Sequence, residues 1–370
     1  EASRRIRPSI SASRSVQELT DLILAARRPV IVAGYGCIRS GAQAEVARLS
    51  ETLGIPVATS LKGKGTISEQ SPLSLGSLGV TSSGHAYKYI LDNADLILFL
   101  GASFNERTSY VWDKTLLAGK RVAQIDSDFE QLEKVFKADL AINGDIKEVL
   151  GGVLARLDGR DTVTYERVGD EIGQSKAAVT SDYVIFQSGF SLVEQFFRAL
   201  ERHFPTGTAV FDDNIIFAQN FYNVAAGNRY YPNSGVSSLG HAIPAAIGAR
   251  MAEVRTTFAI LGDGGFQMCG FELMTAVNYN IPLNVVLFNN GTMGLIRKNQ
   301  HQQYRQRFIG CDFVNPDFER LAQSFGIQYK RVAQAEDVDD LFANHNLTGA
   351  INLIEIVIDK DLFPNYSSRR

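Results

Sequence analysis

The sequence predicts an α/β protein built from two doubly wound parallel-sheet domains. Short, continuous apolar runs of strand length alternate with amphipathic stretches of helix length along its 370 residues. Strands that are apolar on both faces belong to parallel sheets covered by helices on each side. The alternation lapses over residues 158–187, which are charged and aperiodic, and then resumes. At 45% hydrophobic, the chain is long enough for two full cores.

Residues 1–14 are polar and basic, contain Pro8 and several serines, and read as a linker. The opening residues, Glu1 to Arg5, read as the continuation of something longer. The first domain, residues 15–157, begins with a helix over 16–26. Strands are expected at 30–33, 57–59, 96–100 and 122–125, with helices over 42–53, near 87–91 and over 146–157. Residues 158–187 form the inter-domain linker, its core at 158–181. The second domain, 188–370, has expected helices over 192–203, 244–251, near 271–279 and over 318–325. Its strands fall at 208–211, 258–261, 285–288 and 352–357.

Composition excludes several function classes. A net charge of -3 argues against nucleic acid, whose partners carry basic surfaces. No apolar run reaches the roughly 18 residues that a membrane span requires. Cys37, Cys269 and Cys311 are scattered and form no CxxC pair, which predicts free buried thiols and a cytoplasmic protein. His85, His203, His241, His301 and His345 lack the spacing of zinc ligands.

The candidate site lies in the second domain. One apolar run leads into Gly262, Asp263, Gly264 and Gly265, and another, 284–288, ends in Asn289 and Asn290. The 27 positions from Asp263 to Asn290 hold one helix-sized stretch and one strand. In a parallel βαβ unit that spacing puts the carboxylate and the amide at the C-terminal ends of neighbouring strands, where open α/β sheets bind ligands. Mg²⁺ takes one or two hard oxygen ligands from side chains and fills the rest from phosphate, backbone and water. Asp263, Asn290 and the carbonyl of Thr292 can supply such a set. Gly262 and Gly264 are expected to give the backbone unusual freedom, and a helix after Gly265 would point N–H groups at an anion. Each motif alone is an ordinary turn sequence; the pair, each member ending an apolar strand, is specific.

The pair resembles the thiamine-diphosphate motif of the acetohydroxyacid synthase and 2-oxo-acid decarboxylase superfamily. The stretch 237–248 resembles the segment that precedes this motif in the family. The resemblance implies thiamine diphosphate and Mg²⁺ as cofactors. It makes Leu239 the apolar wedge that bends the cofactor into a V, its 4′-amino group against thiazolium C2. It implies cofactor contacts at Ser238, Leu239, Gly240, Gly262, Asp263, Gly264, Gly265, Phe266, Asn290, Thr292, Met293, Gly294 and Leu295, with the metal on Asp263, Asn290 and Thr292. Residues 289–297 are similar to benzoylformate decarboxylase-type enzymes and to acetolactate synthases alike. Asn299 stands where biosynthetic acetohydroxyacid synthases carry Trp, a departure that weakens any preference for 2-oxobutyrate. Lys298 and His301, just past the motif, are candidates to face the substrate, with solvated surface the simpler reading for both.

In the first domain, residues 34–41 (GYGCIRSG) lack the GxGxxG spacing, and the strand ending at Thr59 lacks a following acid, which argues against nicotinamide. Segments 29–37, 54–57, 63–65, 101–107 and 124–128 instead resemble the central, Rossmann-like domain of the same superfamily, in matching order. There the resemblance implies a candidate FAD site at Gly34, Gly36, Asn105 and Asp126. Other members bind ADP or nothing, and Ser103 replaces the family's Arg, which weighs against FAD.

The two resemblances cover nearly the whole chain and imply that the N-terminal pyrimidine-binding domain, with its glutamate, is absent from it. The implied activity is decarboxylation of a 2-oxo acid such as pyruvate with joining to a second 2-oxo acid, as in acetolactate synthase. The implied partners are a small 2-oxo acid, a pyrimidine-binding domain and further copies in a homodimer or homotetramer. One alternative is a 2-oxo-acid decarboxylase or lyase of the benzoylformate decarboxylase or 2-hydroxyacyl-CoA lyase kind. Another is a non-catalytic module of the same fold.

Overall fold

The structure, a computed structural model, describes residues 10–105, 113–159, 168–177, 186, 188–235 and 237–365. The chain divides into two units, residues 1–184 and 185–370. The first unit holds strands β1 (Pro29–Ala33), β2 (Val57–Thr59), β3 (Ser74–Ser77), β4 (Leu96–Leu100), β5 (Arg121–Asp126) and β6 (Leu140–Asn143). They form one parallel sheet in the order β3-β2-β1-β4-β5-β6. Its helices are α1 (Ile10–Ala25), α2 (Tyr35–Ser40), α3 (Gln43–Leu53), α4 (His85–Asn93), α5 (Ile146–Leu157) and α6 (Val168–Ala177).

Side chains alternate across a strand, so each buried strand feeds two cores. Ile31, Ala33, Leu96 and Leu98 meet α1, α3 and α5 through Leu19, Leu49 and Leu150. Val30, Val32, Ile97 and Phe99 face the other way, onto Ala86 and Ile90 of α4.

Three expectations for this unit change. Helix α1 begins at Ile10, inside the stretch read as linker, and residues 1–9 lie outside the described residues. Helix α6 stands within the expected inter-domain linker, of which 160–167, 178–185 and 187 lie outside the described residues. One side chain, Ile172, buries itself in the core, while Glu171 pairs with Arg28 at 3.0 Å and Lys176 Nζ donates to the Ser74 carbonyl at 2.8 Å. One buried residue and the partly buried Val168 among polar neighbours leave too weak a period to read. The Gly-rich turn at 34–41 is the short helix α2, closed by Gly41 at φ 67°.

The second unit runs α7 (Ser191–His203), β7 (Thr208–Asp212), α8 (Ile216–Phe221), β8 (Arg229–Pro232), α9 (Ala242–Ala252) and β9 (Thr256–Gly262). It continues with α10 (Asp263–Cys269), α11 (Leu273–Asn278), β10 (Leu283–Asn289), α12 (Gly294–Gln303) and α13 (Phe318–Phe325), then β11 (Gln328–Val332), α14 (Ala335–Asn344) and β12 (Ile351–Val357). The sheet is parallel, in the order β11-β12-β10-β9-β7-β8. Ala259, Leu261, Val285 and Leu287 pack against α9, α11 and α13. On the opposite face Phe197 of α7 lies 6.2 Å from Phe288, and Phe204 lies 5.4 Å from Phe258.

All three cysteines are buried and free, and burial pushes the Cys269 thiol up to about 12. Among the described residues no helix is long and apolar enough to cross a membrane.

In each sheet the chain reverses direction of strand addition, between β1 and β4 and between β7 and β9. At the first of these points Gly34 and Gly36 press directly on Gly101. A Cβ on Gly34 would collide with the Gly101 carbonyl, and one on Gly36 would fall 2.6 Å from Gly101 Cα. Backbone must move to admit either. Gly34→Ala is expected to destabilise the first unit by about 1–3 kcal/mol, as overpacking does, seen as a lower urea midpoint at unchanged slope.

Asp212, at the end of β7, is fully buried. Burial pushes its carboxyl up to about 7 against hydrogen bonds from the Tyr230 hydroxyl, the Ile215 N–H and the Gln219 amide. Between 3.8 and about 7 the folded protein keeps a proton that the unfolded chain has released. Stability therefore falls as pH rises through that window and levels above it. Asp212→Asn, which preserves the neutral shape, is expected to flatten this decline, measured by denaturant unfolding across the same range.

Candidate functional site

Strands β9 and β10 pair in register so that Gly262 lies opposite Phe288. Asp263 and Asn290 are therefore the residues that leave the C-terminal edge of two adjacent strands. Asp263 is 1% exposed. Its Oδ1 accepts the Gly264 N–H at 2.9 Å. Its Oδ2 accepts the N–H groups of Gly291 at 2.6 Å and Asn290 at 3.2 Å, and the side-chain amide of Asn315 at 2.8 Å. Burial raises the carboxyl above its ordinary range, and the donors from Asn315, Gly291, Gly264 and Asn290 pull it back. All four are neutral; a cation at the same carboxylate would stabilise its charge far more strongly.

Among the described residues no group of three or more His, Cys, Asp or Glu gathers for a metal. One carboxylate with neutral oxygens beside it is a donor set suited to Mg²⁺ bound mainly through phosphate, and ill suited to Zn²⁺. Asn290 Oδ1 accepts the Thr292 N–H at 3.2 Å and retains a second lone pair. The Thr292 side chain is buried and donates to the Cys311 carbonyl at 2.9 Å, while its carbonyl is the oxygen expected to serve as a ligand. The residues present fit the ion.

The glycines serve a different purpose from the one expected. Gly262 has ordinary extended geometry, φ -86° and ψ 167°, and Gly264 and Gly265 are the second and third residues of α10. The helix therefore begins at Asp263, ahead of where it was placed. A Cβ on Gly264 would meet the Met293 sulfur at 2.5 Å, and one on Gly265 would meet Asp213 Oδ2 at 2.6 Å. Close packing requires both glycines. Phe266 turns its ring into the core against Phe318, 5.5 Å away, which leaves only its main chain toward a ligand. Gly294 opens α12 beside Asn290, Leu295 is half-buried, and the Met293 N–H donates to Cys311 at 2.8 Å.

The loop carrying Ser238, Leu239 and Gly240 hangs on Asp213, which sequence reasoning missed. This buried carboxylate accepts the N–H of Gly240 at 2.7 Å on Oδ2 and that of His241 at 2.9 Å on Oδ1. Gly240 is at φ 87°, a conformation that favours glycine. Ser238 is exposed, with its carbonyl bonded to Asn233, and Leu239 is half-buried. Asp213 follows an apolar strand just as Asp263 does, and that pattern was the available signal. Asn315 gave none, because it sits in coil 52 residues from its partner.

Lys298 corrects a reading. It is 0% exposed, where solvated surface was expected, and burial lowers its ammonium to about 8. Its neighbour Arg297 is also buried, bonded to Asp312 and Asp361. His301 is half-buried, its ring 4.9 Å from Phe363.

Of the residues proposed for FAD in the first unit, Asn105 is exposed, and Asp126 is buried, its Oδ1 accepting the Asp128 N–H at 2.9 Å. The space left by Gly34 and Gly36 is filled by the Gly101 backbone. That contact accounts for both glycines by packing alone.

Known proteins match both units. Residues 16–153 match the family described as thiamine pyrophosphate enzyme, central domain, and residues 213–356 match thiamine pyrophosphate enzyme, C-terminal TPP binding domain. A probable acetolactate synthase large subunit of Methanocaldococcus jannaschii is 30% identical over 93% of this chain and 60% of its own length. One from Methanococcus aeolicus is 29% identical over 95% of the chain and 61% of its own. An acetolactate synthase of Mycobacterium bovis is 32% identical over 94% of the chain and 57% of its own. The chain thus spans about three fifths of the length of these curated relatives. It belongs to the thiamine pyrophosphate enzyme family, of which it carries the central and C-terminal, cofactor-binding domains.

Proposed function

We propose that the second unit binds the diphosphate end of thiamine diphosphate through Mg²⁺, in an acetolactate synthase-like enzyme acting on a 2-oxo acid such as pyruvate. The observation that carries this reading is the buried Asp263 carboxylate, ringed by neutral donors and set beside Asn290 at the ends of β9 and β10. Asp263, the Asn290 amide oxygen and the Thr292 carbonyl hold the metal. Ser238, Gly262, Gly264, Gly265, Met293, Gly294, Leu295 and the main chain of Phe266 line the cofactor. Leu239, on the loop fixed by Asp213, supports its bent form, with Gly240 beside it. When bound, the cofactor supplies the electron sink for decarboxylation. A pyrimidine-binding domain outside this chain completes the site, in a cytoplasmic homodimer or homotetramer.

Asp263→Ala is expected to weaken Mg²⁺-dependent thiamine diphosphate binding by more than about 100-fold, beyond what loss of an outer partner causes. Calorimetric titration measures it, and unchanged affinity would put the site elsewhere. Incubation of the complete enzyme with pyruvate is expected to yield acetolactate. Aldehyde without acetolactate would favour the decarboxylase reading, and no turnover despite bound cofactor would favour a binding module.

A further inference from the structure

Asn315 lies half-buried in the coil before α13, outside every motif recognised in the sequence. Its Nδ2 donates to Asp263 Oδ2 at 2.8 Å and to Asn289 Oδ1 at 2.9 Å, while its Oδ1 accepts from Gln267 Nε2 at 2.8 Å. Both amide hydrogens and the amide oxygen are thus engaged, which fixes the plane of the group. The chain of contacts runs on: Asn289 Nδ2 donates to Glu355 Oε1 at 2.5 Å, and the Tyr329 hydroxyl donates to Glu355 Oε2. The Asp263 carboxylate is the end of a side-chain relay spanning β10, β12 and β11.

The two oxygens of Asp263 are unequally served. Oδ2 receives Gly291, Asn290 and Asn315, whereas among the described residues Oδ1 receives Gly264 alone. We infer that Asn315 is a positioning residue for the metal, saturating Oδ2 so that Asp263 presents one oxygen, Oδ1, to the ion. This rests on the reading of Asp263 as a Mg²⁺ ligand. The consequence is ion choice. Mg²⁺ demands near-octahedral geometry at short distance, whereas Ca²⁺ accepts more ligands, longer bonds and bidentate carboxylates. A carboxylate pinned through one oxygen suits the smaller ion, and a released one can turn both oxygens toward the larger.

The test measures thiamine diphosphate binding to the intact protein by calorimetry while MgCl₂ or CaCl₂ is titrated, for wild type and Asn315→Ala. The variant is expected to lose about tenfold or more in apparent Mg²⁺ affinity, as outer-partner losses do. Ca²⁺ should change by less than about threefold, because its coordination tolerates a rotated carboxylate. Equal weakening for both ions, which a merely structural tie would produce, overturns the inference, and so does no change. Should Asn315→Ala fail to fold, Gln267→Ala decides. It removes the partner of Asn315 Oδ1 from an exposed position, and an unchanged Mg²⁺ to Ca²⁺ preference overturns the inference. A wild type that binds the cofactor equally well without either ion overturns the metal reading itself, and this inference with it.

Discussion

Burying a carboxylate costs several kcal/mol unless donors or a cation replace its lost water, and the second unit is organised around meeting that cost at Asp263. The strand before it must be a neighbour of β10, since Asn290 and Gly291 supply two of its donors from the turn that β10 enters. Helix α10 must begin at once, since the Gly264 N–H is a third. The coil that carries Asn315 must return to the sheet edge to supply the fourth. Four neutral donors leave the charge raised in energy. That unmet electrostatic demand is what the proposed cation would answer at this edge.

Packing sets the same edge as tightly as electrostatics does. Gly264 lies where the Met293 sulfur allows no side chain, and Gly265 lies where the Asp213 carboxylate allows none. Asp213 in turn holds the 240–241 turn by two N–H groups. One acid therefore fixes both the start of α10 and the loop that carries Leu239. The motif's glycines are needed for contact between elements, a requirement that local turn chemistry does not express.

Strand and helix identity were legible wherever burial is uniform. The strand at 96–100 and the helices at 146–157 and 318–325 fall where the apolar patterns put them. The strands the patterns missed, β3, β6, β8 and β11, are the edges of the two sheets. An edge strand is covered on fewer sides, so its residues need not be apolar: β11 is Gln-Tyr-Lys-Arg-Val, and only Val332 is buried. Lys298 fails in the opposite sense, because its charge suggests solvent while α12 carries it into the interior. The placement of Asp263 and Asn290 was legible because it is local to two strand ends. Asp213 offered the same strand-end signal and was passed over, whereas Asn315 is joined to Asp263 only by tertiary contact from a coil and offered none.

Both units are six-stranded parallel sheets, but they differ in strand order and in what lies at the point where that order reverses. In the first, the ends of β1 and β4 pack closely through Gly34, Gly36 and Gly101, where no Cβ fits. In the second, Asp213 and Asp263 follow the ends of β7 and β9, two buried acids that accept backbone N–H groups from neighbouring segments. The switch point of an open α/β sheet is a place where a ligand can bind; the fold alone does not make it a site. In the first unit glycine packs on glycine there, and in the second carboxylates accept backbone N–H groups. That difference of a few side chains gives the second unit the buried acids on which the proposed metal and diphosphate binding rests.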